Sequence, residues 1–217
     1  MEKRPKFKLP PITISVQSIK CLEETDEVGA DEPYVLVTAV DLAKPIPRVE
    51  VTRYGPWSDV DQGETKVTQV LSPKTPAFLK RTFEASGLVR TPFWGLDNKS
   101  ADRIDDPSDV VIIASMMEHD DGQPEPTRAA VKASVVATLA SSVGLSRSNR
   151  VQKLIKDIRS AVRIPTGAPN FDDHIQTKEL RLTHKDLARP MTGVYRRPLY
   201  FRGDGGHYKV IFEFRKG

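Results

Sequence analysis

Residues 26–37 read Asp26-Glu27-Val28-Gly29-Ala30-Asp31-Glu32-Pro33-Tyr34-Val35-Leu36-Val37, an acidic, glycine-containing turn that runs into a β-rich segment. Upstream, Ile12, Ile14 and Val16 alternate with polar residues, as the residues of a half-buried strand do. This part of the chain is therefore predicted to form a strand, an acidic loop and a second strand. Between residues 23 and 32 there are six carboxylates and no Lys or Arg. Such a loop either is solvated or holds a cation.

The size and composition of the chain indicate one large domain, or a domain with an elaboration. It has 217 residues, 17 of them Pro, and a mean hydropathy of −0.41, which favours long loops. A chain of this length buries a sufficient core without disulfides, and its single cysteine, Cys21, is predicted to be a small buried hydrophobe. No apolar run is long enough to span a bilayer, and the N-terminus lacks the apolar region of a secretory signal. We expect a cytoplasmic location that allows peripheral membrane attachment; signal-independent export would leave no trace in the sequence.

The net charge of +4 is unevenly distributed along the chain. Residues 127–163 carry eight Lys or Arg and one acidic residue, Asp157, so this segment has a net charge of +7 and the remainder about −3. This asymmetry predicts an anionic contact for the segment.

The hydrophobic pattern predicts eight strands. They are residues 12–22, 34–42, 49–54, 66–71, 78–83, 109–117, a segment around Leu180 and Leu182, and residues 207–214. Residues 110–113 are continuously apolar, which is typical of a central strand buried on both faces. Residues 84–108 lose periodicity and are predicted to be a long loop.

Between the last strands the pattern switches to that of a helical hairpin. Residues 130–143 have helical spacing and end at Gly144, a favourable residue after a helix. Ser148 is predicted to cap a second helix, with Val151, Leu154 and Ile158 on one face. The basic residues of this helix are the predicted contacts to a membrane or partner: Arg147, Arg150, Lys153, Lys156 and Arg159. Nucleic acid is the least favoured ligand, because no reader motif accompanies the charge.

Residues 26–34 resemble the first calcium loop of the C2 domain, an eight-stranded antiparallel β-sandwich whose loops at one end bind calcium and lipids. Asp26 matches the first ligand Asp, Gly29 the loop glycine, and Glu32-Pro33-Tyr34 stands where the family usually has Asp-Pro-Tyr. Residues 64–68 and 71–73 resemble the family's Thr-Lys strand and Asn-Pro turn.

Two later motifs extend the resemblance over most of the chain. Glu118-His119-Asp120 resembles the Asp-x-Asp of the third loop, and Asp173-His174-Ile175 the family's Asp-Phe-Ile-Gly ending. The resemblance implies an extended arm over residues 1–10, a C2-like sandwich over 11–122 and 171–217, and a helical-hairpin insertion over 123–170. Glu in place of Asp at positions 32 and 118, and Gln176 in place of Gly, depart from the family pattern.

The resemblance implies a calcium site at one end of the sandwich. Its ligands would be Asp26, Glu32, Glu118, Asp120 and Asp173. Calcium takes six to eight oxygen ligands, and several carboxylates in one cleft repel each other unless a cation or basic partner is present. The alternative is a solvated acidic rim that has lost metal binding.

Two functions follow as expectations. The first is a non-catalytic, C2-like module for calcium-linked attachment to an anionic membrane surface or a protein partner. The second is a structural or interaction subunit of a larger assembly, formed by self-association or with other proteins, with a vestigial calcium site. An enzyme is not expected, because no nucleophile or acid–base motif is found in the sequence.

Overall fold

The structure is a computed structural model and describes residues 9–25, 31–95, 101–120, 123–164 and 172–217. Within these residues eight strands form two four-stranded antiparallel sheets. The strands are β1 (Ile12–Glu23), β2 (Pro33–Asp41), β3 (Arg48–Tyr54), β4 (Thr65–Val67), β5 (Val110–Glu118), β6 (Asp173–Glu179), β7 (Tyr195–Gly203) and β8 (Gly206–Lys216). The helices are α1 (Ala77–Ser86), α2 (Pro124–Ser141), α3 (Arg147–Ala161) and α4 (His184–Ala188).

The two sheets enclose the main hydrophobic core. The first sheet has the order β4-β1-β8-β7 and the second the order β3-β2-β5-β6. Alternate residues of the longer strands point between the sheets, among them Ile14, Val37, Ile112 and Phe212. The predicted mainly β, antiparallel, sandwich-like architecture is confirmed.

The predicted helical hairpin is present as a third layer. α2 and α3 cover the outer face of the second sheet, where Val131, Val135, Leu154 and Ile158 pack on residues of β2, β3 and β5. All nine residues of β5 are buried, since this strand lies between the main core and the helices. The N-cap of α3 is Ser146 rather than Ser148, because the Ser146 hydroxyl accepts the Asn149 backbone N–H at 3.3 Å.

One predicted strand is a helix. Residues 78–83 belong to α1, which begins after Pro76 and ends at Gly87 in the left-handed conformation, with a φ of 75°. Proline is favourable just before or at the start of a helix, and glycine just after its end, so the flanking residues carried the helix signal. The aromatic residues Phe78 and Phe83 have high β-propensity, which does not distinguish a strand from this helix.

The strand that the sequence did not predict is β7. Its buried and half-buried residues alternate with exposed Arg196, Pro198, Tyr200 and Arg202. A proline cannot donate to a central ladder, but β7 is an edge strand that pairs only with β8. Leu180, placed in a strand by the sequence, lies just beyond the end of β6. None of the helices in the described residues is long and apolar enough to cross a membrane.

Candidate functional site

Three of the predicted calcium residues lie at one end of the second sheet. Glu118, the last residue of β5, is paired with Pro33 of β2 on one side and with Asp173 of β6 on the other. Glu32 directly precedes β2 at the same end. The Glu118 carboxylate is buried, and its Oε1 accepts a hydrogen bond of 2.9 Å from the Glu32 backbone N–H. This carboxylate therefore braces the start of β2.

Only one of the other two predicted ligands is among the described residues. Asp120 lies two residues beyond β5 and is partly exposed, and Asp26 lies outside the described residues. Across the described part of the chain, no group of three or more His, Cys, Asp or Glu side chains is placed to hold a metal ion. Calcium binding remains a prediction.

Two neighbouring carboxylates that were not predicted to be calcium ligands accept hydrogen bonds from other residues of the protein. Asp172 accepts hydrogen bonds from the Tyr34 hydroxyl at 2.6 Å and is 3.0 Å from Nδ1 of His119. Asp31 is buried and accepts from the Thr25 hydroxyl at 2.7 Å and from the Tyr208 hydroxyl. Burial raises the pKa of Asp31, against the opposing effect of its hydrogen bonds from Thr25. An acidic position in these loops is thus not by itself a free ligand position.

Several basic residues of α3 that were predicted to contact a membrane or a partner bind this helix to the rest of the molecule. Arg147 donates to the Val110 carbonyl at 3.0 Å and forms an ion pair of 2.8 Å with Glu179. Arg159 donates to the Thr177 carbonyl at 3.2 Å. Two of the basic residues of α3 therefore attach this helix to β5 and β6.

The remaining cations of α3 are divided between internal contacts and solvent. Arg150 donates to the Ser142 carbonyl at 3.1 Å, and Lys153 forms an ion pair of 2.8 Å with Asp157. Lys156 is exposed and makes no ion pair with a described residue.

A second basic surface lies on the opposite side of the molecule, on the outer face of the first sheet. Five cations from β1, β7 and β8 are exposed or partly exposed on it. They are Lys20, Arg196, Arg202, Lys209 and Arg215. We call this surface the basic sheet face.

At one end of the basic sheet face, three arginines surround one buried carboxylate. The Glu213 side chain has no exposed surface, and it accepts from Arg90 at 3.1 Å, from Arg196 at 3.0 Å and from Arg215 at 2.7 Å. Burial raises the pKa of Glu213, but the hydrogen bond from Arg215, the charge of Arg90 and the hydrogen bond from Arg196 outweigh it. The pKa of Glu213 therefore lies below its ordinary value. The cluster keeps a net positive charge.

Further along the same face, two lysines stand directly opposite each other. Lys20 of β1 is the register partner of Lys209 of β8, whose other partner is Tyr200 of β7. Neither lysine forms an ion pair with a described residue. Like charges directly opposite on one sheet face are destabilising. Exposed Tyr200 also contacts the His207 ring, with 6.2 Å between centroids.

Sequence reasoning missed the basic sheet face because its cations come from three strands far apart in the chain. The available signal was the alternation of Arg196, Arg202, Lys209 and Arg215 with buried residues in β7 and β8. No protein-family model, curated protein or solved structure matches this chain. The C2 resemblance therefore remains a prediction.

Proposed function

We propose that this chain is a non-catalytic, C2-like β-sandwich module that attaches to an anionic membrane surface through its basic sheet face. The observation that carries this proposal is the Lys20–Lys209 pair. Two like charges stand opposite each other on the outer face of the first sheet, with no ion-pair partner among the described residues. An anionic ligand above the sheet removes the repulsion between them.

The electrostatics of the face favour such a ligand. Each Lys or Arg close to an anionic leaflet contributes about 1 kcal/mol of attraction, which falls off over the Debye length. Arg196 and Arg215 are 56% and 49% exposed, so their outer nitrogens remain accessible while Nε of each is held by Glu213. Several such contacts acting together are sufficient for reversible attachment.

The position of the face also fits a planar surface. Its cations lie on three adjacent strands, and Tyr200 is of the residue type that prefers the membrane–water interface. The helical layer packs on the second sheet, so it lies on the other side of the molecule. The sequence predicted attachment through α3. The surface that we propose lies on the opposite side of the sandwich.

Cosedimentation with vesicles tests the proposal. We expect binding to phosphatidylcholine vesicles that contain phosphatidylserine, no binding to phosphatidylcholine alone, and loss of binding as salt rises. The variant Lys20→Gln with Lys209→Gln should bind about thirtyfold more weakly, since it removes about 2 kcal/mol of attraction. The matched control, Lys44→Gln with Lys132→Gln, loses the same charge elsewhere and should bind as the wild type does.

Two outcomes would count against the proposal. Equal binding by the two double variants would show that only net charge matters. Absence of binding to any anionic vesicle would refute membrane attachment and favour the structural-subunit alternative. The same assay with calcium and with chelator separates the mechanisms, because attachment through the basic sheet face does not require calcium.

A further inference from the structure

Helix α1 is amphipathic, yet none of its ten residues is buried. Phe78 is 68% exposed and Leu79 37% exposed, and Phe83 is only partly buried. An isolated helix of this length is marginal in water, and most helices are stabilised by packing of their apolar side. The apolar side of a helix is normally covered by other parts of the protein. Within the described residues, the apolar side of α1 is not.

The helix is fixed to the sandwich at its C-terminal end. Arg53 of β3 donates to the last carbonyls of α1, those of Ala85 at 2.5 Å and Ser86 at 3.3 Å. The Gly55 backbone N–H donates to the Gly87 carbonyl at 3.0 Å. These contacts hold the orientation of the helix while leaving Phe78, at the other end, exposed.

One side of α1 borders a cleft. Lys80, Glu84 and Ala85 line this cleft of about 1070 Å³ between α1, β3 and the segment that follows the helix. At 3.6 residues per turn, Leu79 lies away from these three residues, whereas Phe78 lies on the same side as Ala85 but at the N-terminal end of the helix. Both Phe78 and Leu79 remain exposed.

Further apolar side chains are exposed in the segment that precedes α1. Val67 of β4 is 49% exposed and Val70 is 72% exposed. Val67 is the register partner of Ser18 in β1, so it stands in the row next to the one that holds Lys20. Lys74, Lys80 and Arg81 are exposed in and near α1. The helix therefore combines exposed apolar side chains with flanking cations.

We propose that α1 is an interfacial anchor, with Phe78 and Leu79 entering the headgroup and acyl boundary of an anionic bilayer. This inference rests on the membrane attachment proposed above and names the element that inserts. Helices that lie in the membrane interface combine an apolar side bearing Phe and Leu with Lys and Arg on the polar side. The flanking cations Lys74, Lys80 and Arg81 favour anionic lipid as the occupant over an apolar protein surface.

Fluorescence with Phe78→Trp tests the anchor. The two native tryptophans, Trp57 and Trp94, are buried and give a constant background. On addition of phosphatidylserine-containing vesicles, we expect the emission of the introduced tryptophan to shift to shorter wavelength and to be quenched by brominated acyl chains. The matched control is Val136→Trp on α2, a helix that packs on the second sheet, where the native side chain is 53% exposed. It should show neither effect.

A second variant measures the contribution of the apolar side chains. We expect Phe78→Ser with Leu79→Ser to lower the vesicle partition coefficient about tenfold, since both side chains lose apolar burial. This loss should persist at high salt, where the effect of the Lys20 and Lys209 variants disappears. Since α1 has no buried residue, the unfolding temperature should stay within about 2 °C of the wild type.

The outcomes separate the two proposals. Vesicle binding without quenching of the Phe78→Trp variant overturns the anchor and leaves membrane attachment in place. No binding to any anionic vesicle overturns attachment and the anchor with it. If the wild type dimerises without lipid and the Phe78→Ser, Leu79→Ser variant does not, a second copy of the chain covers α1 and the anchor is wrong.

Discussion

Replacing Glu213 by Gln should be among the more destabilising conservative substitutions in this chain. Its side chain has no exposed surface and holds three arginines at 2.7–3.1 Å. Removing one partner of a buried ion pair costs about 3–5 kcal/mol. Arg196 and Arg215 are about half exposed, so water replaces much of what they lose, whereas Arg90 is only 13% exposed. We therefore expect the free energy of unfolding to fall by about 2–3 kcal/mol at pH 7.

The loss should depend on pH with a defined sign. The pKa of Glu213 is lower in the folded protein than the ordinary value of about 4.3 that applies to the unfolded chain. Its stabilising contribution is therefore fully present above that ordinary value and is lost as the pH falls through the folded pKa. The difference between the wild type and Glu213→Gln should be the same at pH 7 and pH 6 and smaller at pH 3.5.

Urea unfolding of both proteins at these pH values is the measurement. Glu50→Gln is the control, because Glu50 pairs with Lys132 at 3.6 Å across an exposed surface and its loss should cost less than about 0.5 kcal/mol. An equally small loss for Glu213→Gln at pH 7 would refute the reasoning. A difference that grows at low pH would show that the sign of the pKa change is wrong.

Two further predictions concern buried positions. Burial, together with the negative charges of Asp31 and Glu24, raises the pKa of the Cys21 thiol to about 12, so a thiol reagent at pH 8 should label it about a thousandfold more slowly than in urea. Labelling at similar rates would contradict this. Gly203→Ala should lower the unfolding free energy by about 1–3 kcal/mol in urea titrations, because its Cβ would meet the Ile175 carbonyl oxygen. An unchanged midpoint would show that β6 and β7 separate easily.

The core of the fold was predictable because buried residues recur at regular spacing in the sequence. Tyr208, Val210, Phe212 and Phe214 alternate with less buried residues up to Phe212, and all four are buried in β8. The continuous apolar run in β5 was correctly interpreted as a strand covered on both faces. Period-two and helical spacing identified these elements without knowledge of their neighbours.

Elements at the margins of the sheets were harder to predict. A proline such as Pro198 is unfavourable in a central strand, and only its position on the edge strand β7 makes it acceptable. Phe78 and Phe83 in α1 are not core residues, so the hydrophobic pattern of this segment does not report packing inside the chain. In both cases the local signal was ambiguous, and the tertiary position resolved it.

The candidate site shows why a linear charge count locates a basic surface poorly. The cations of α3 are close together in sequence, but Arg147 and Arg159 donate to the backbone of the second sheet and Lys153 is neutralised by Asp157. When a helix packs on a sheet, many of its cations form contacts inside the protein. A high density of charge in the sequence therefore does not locate a free basic surface.

The cations of the basic sheet face are diluted by the buried residues between them, and strand pairing alone brings them together. Lys20 and Lys209 are separated by most of the chain, yet they are direct neighbours across β1 and β8. The repulsion between them is a cost that the folded protein bears in the absence of a ligand. For this reason the Lys20→Gln, Lys209→Gln variant should be at least as stable as the wild type while binding vesicles more weakly. Such opposite effects on stability and binding are expected of residues retained for a ligand rather than for the fold.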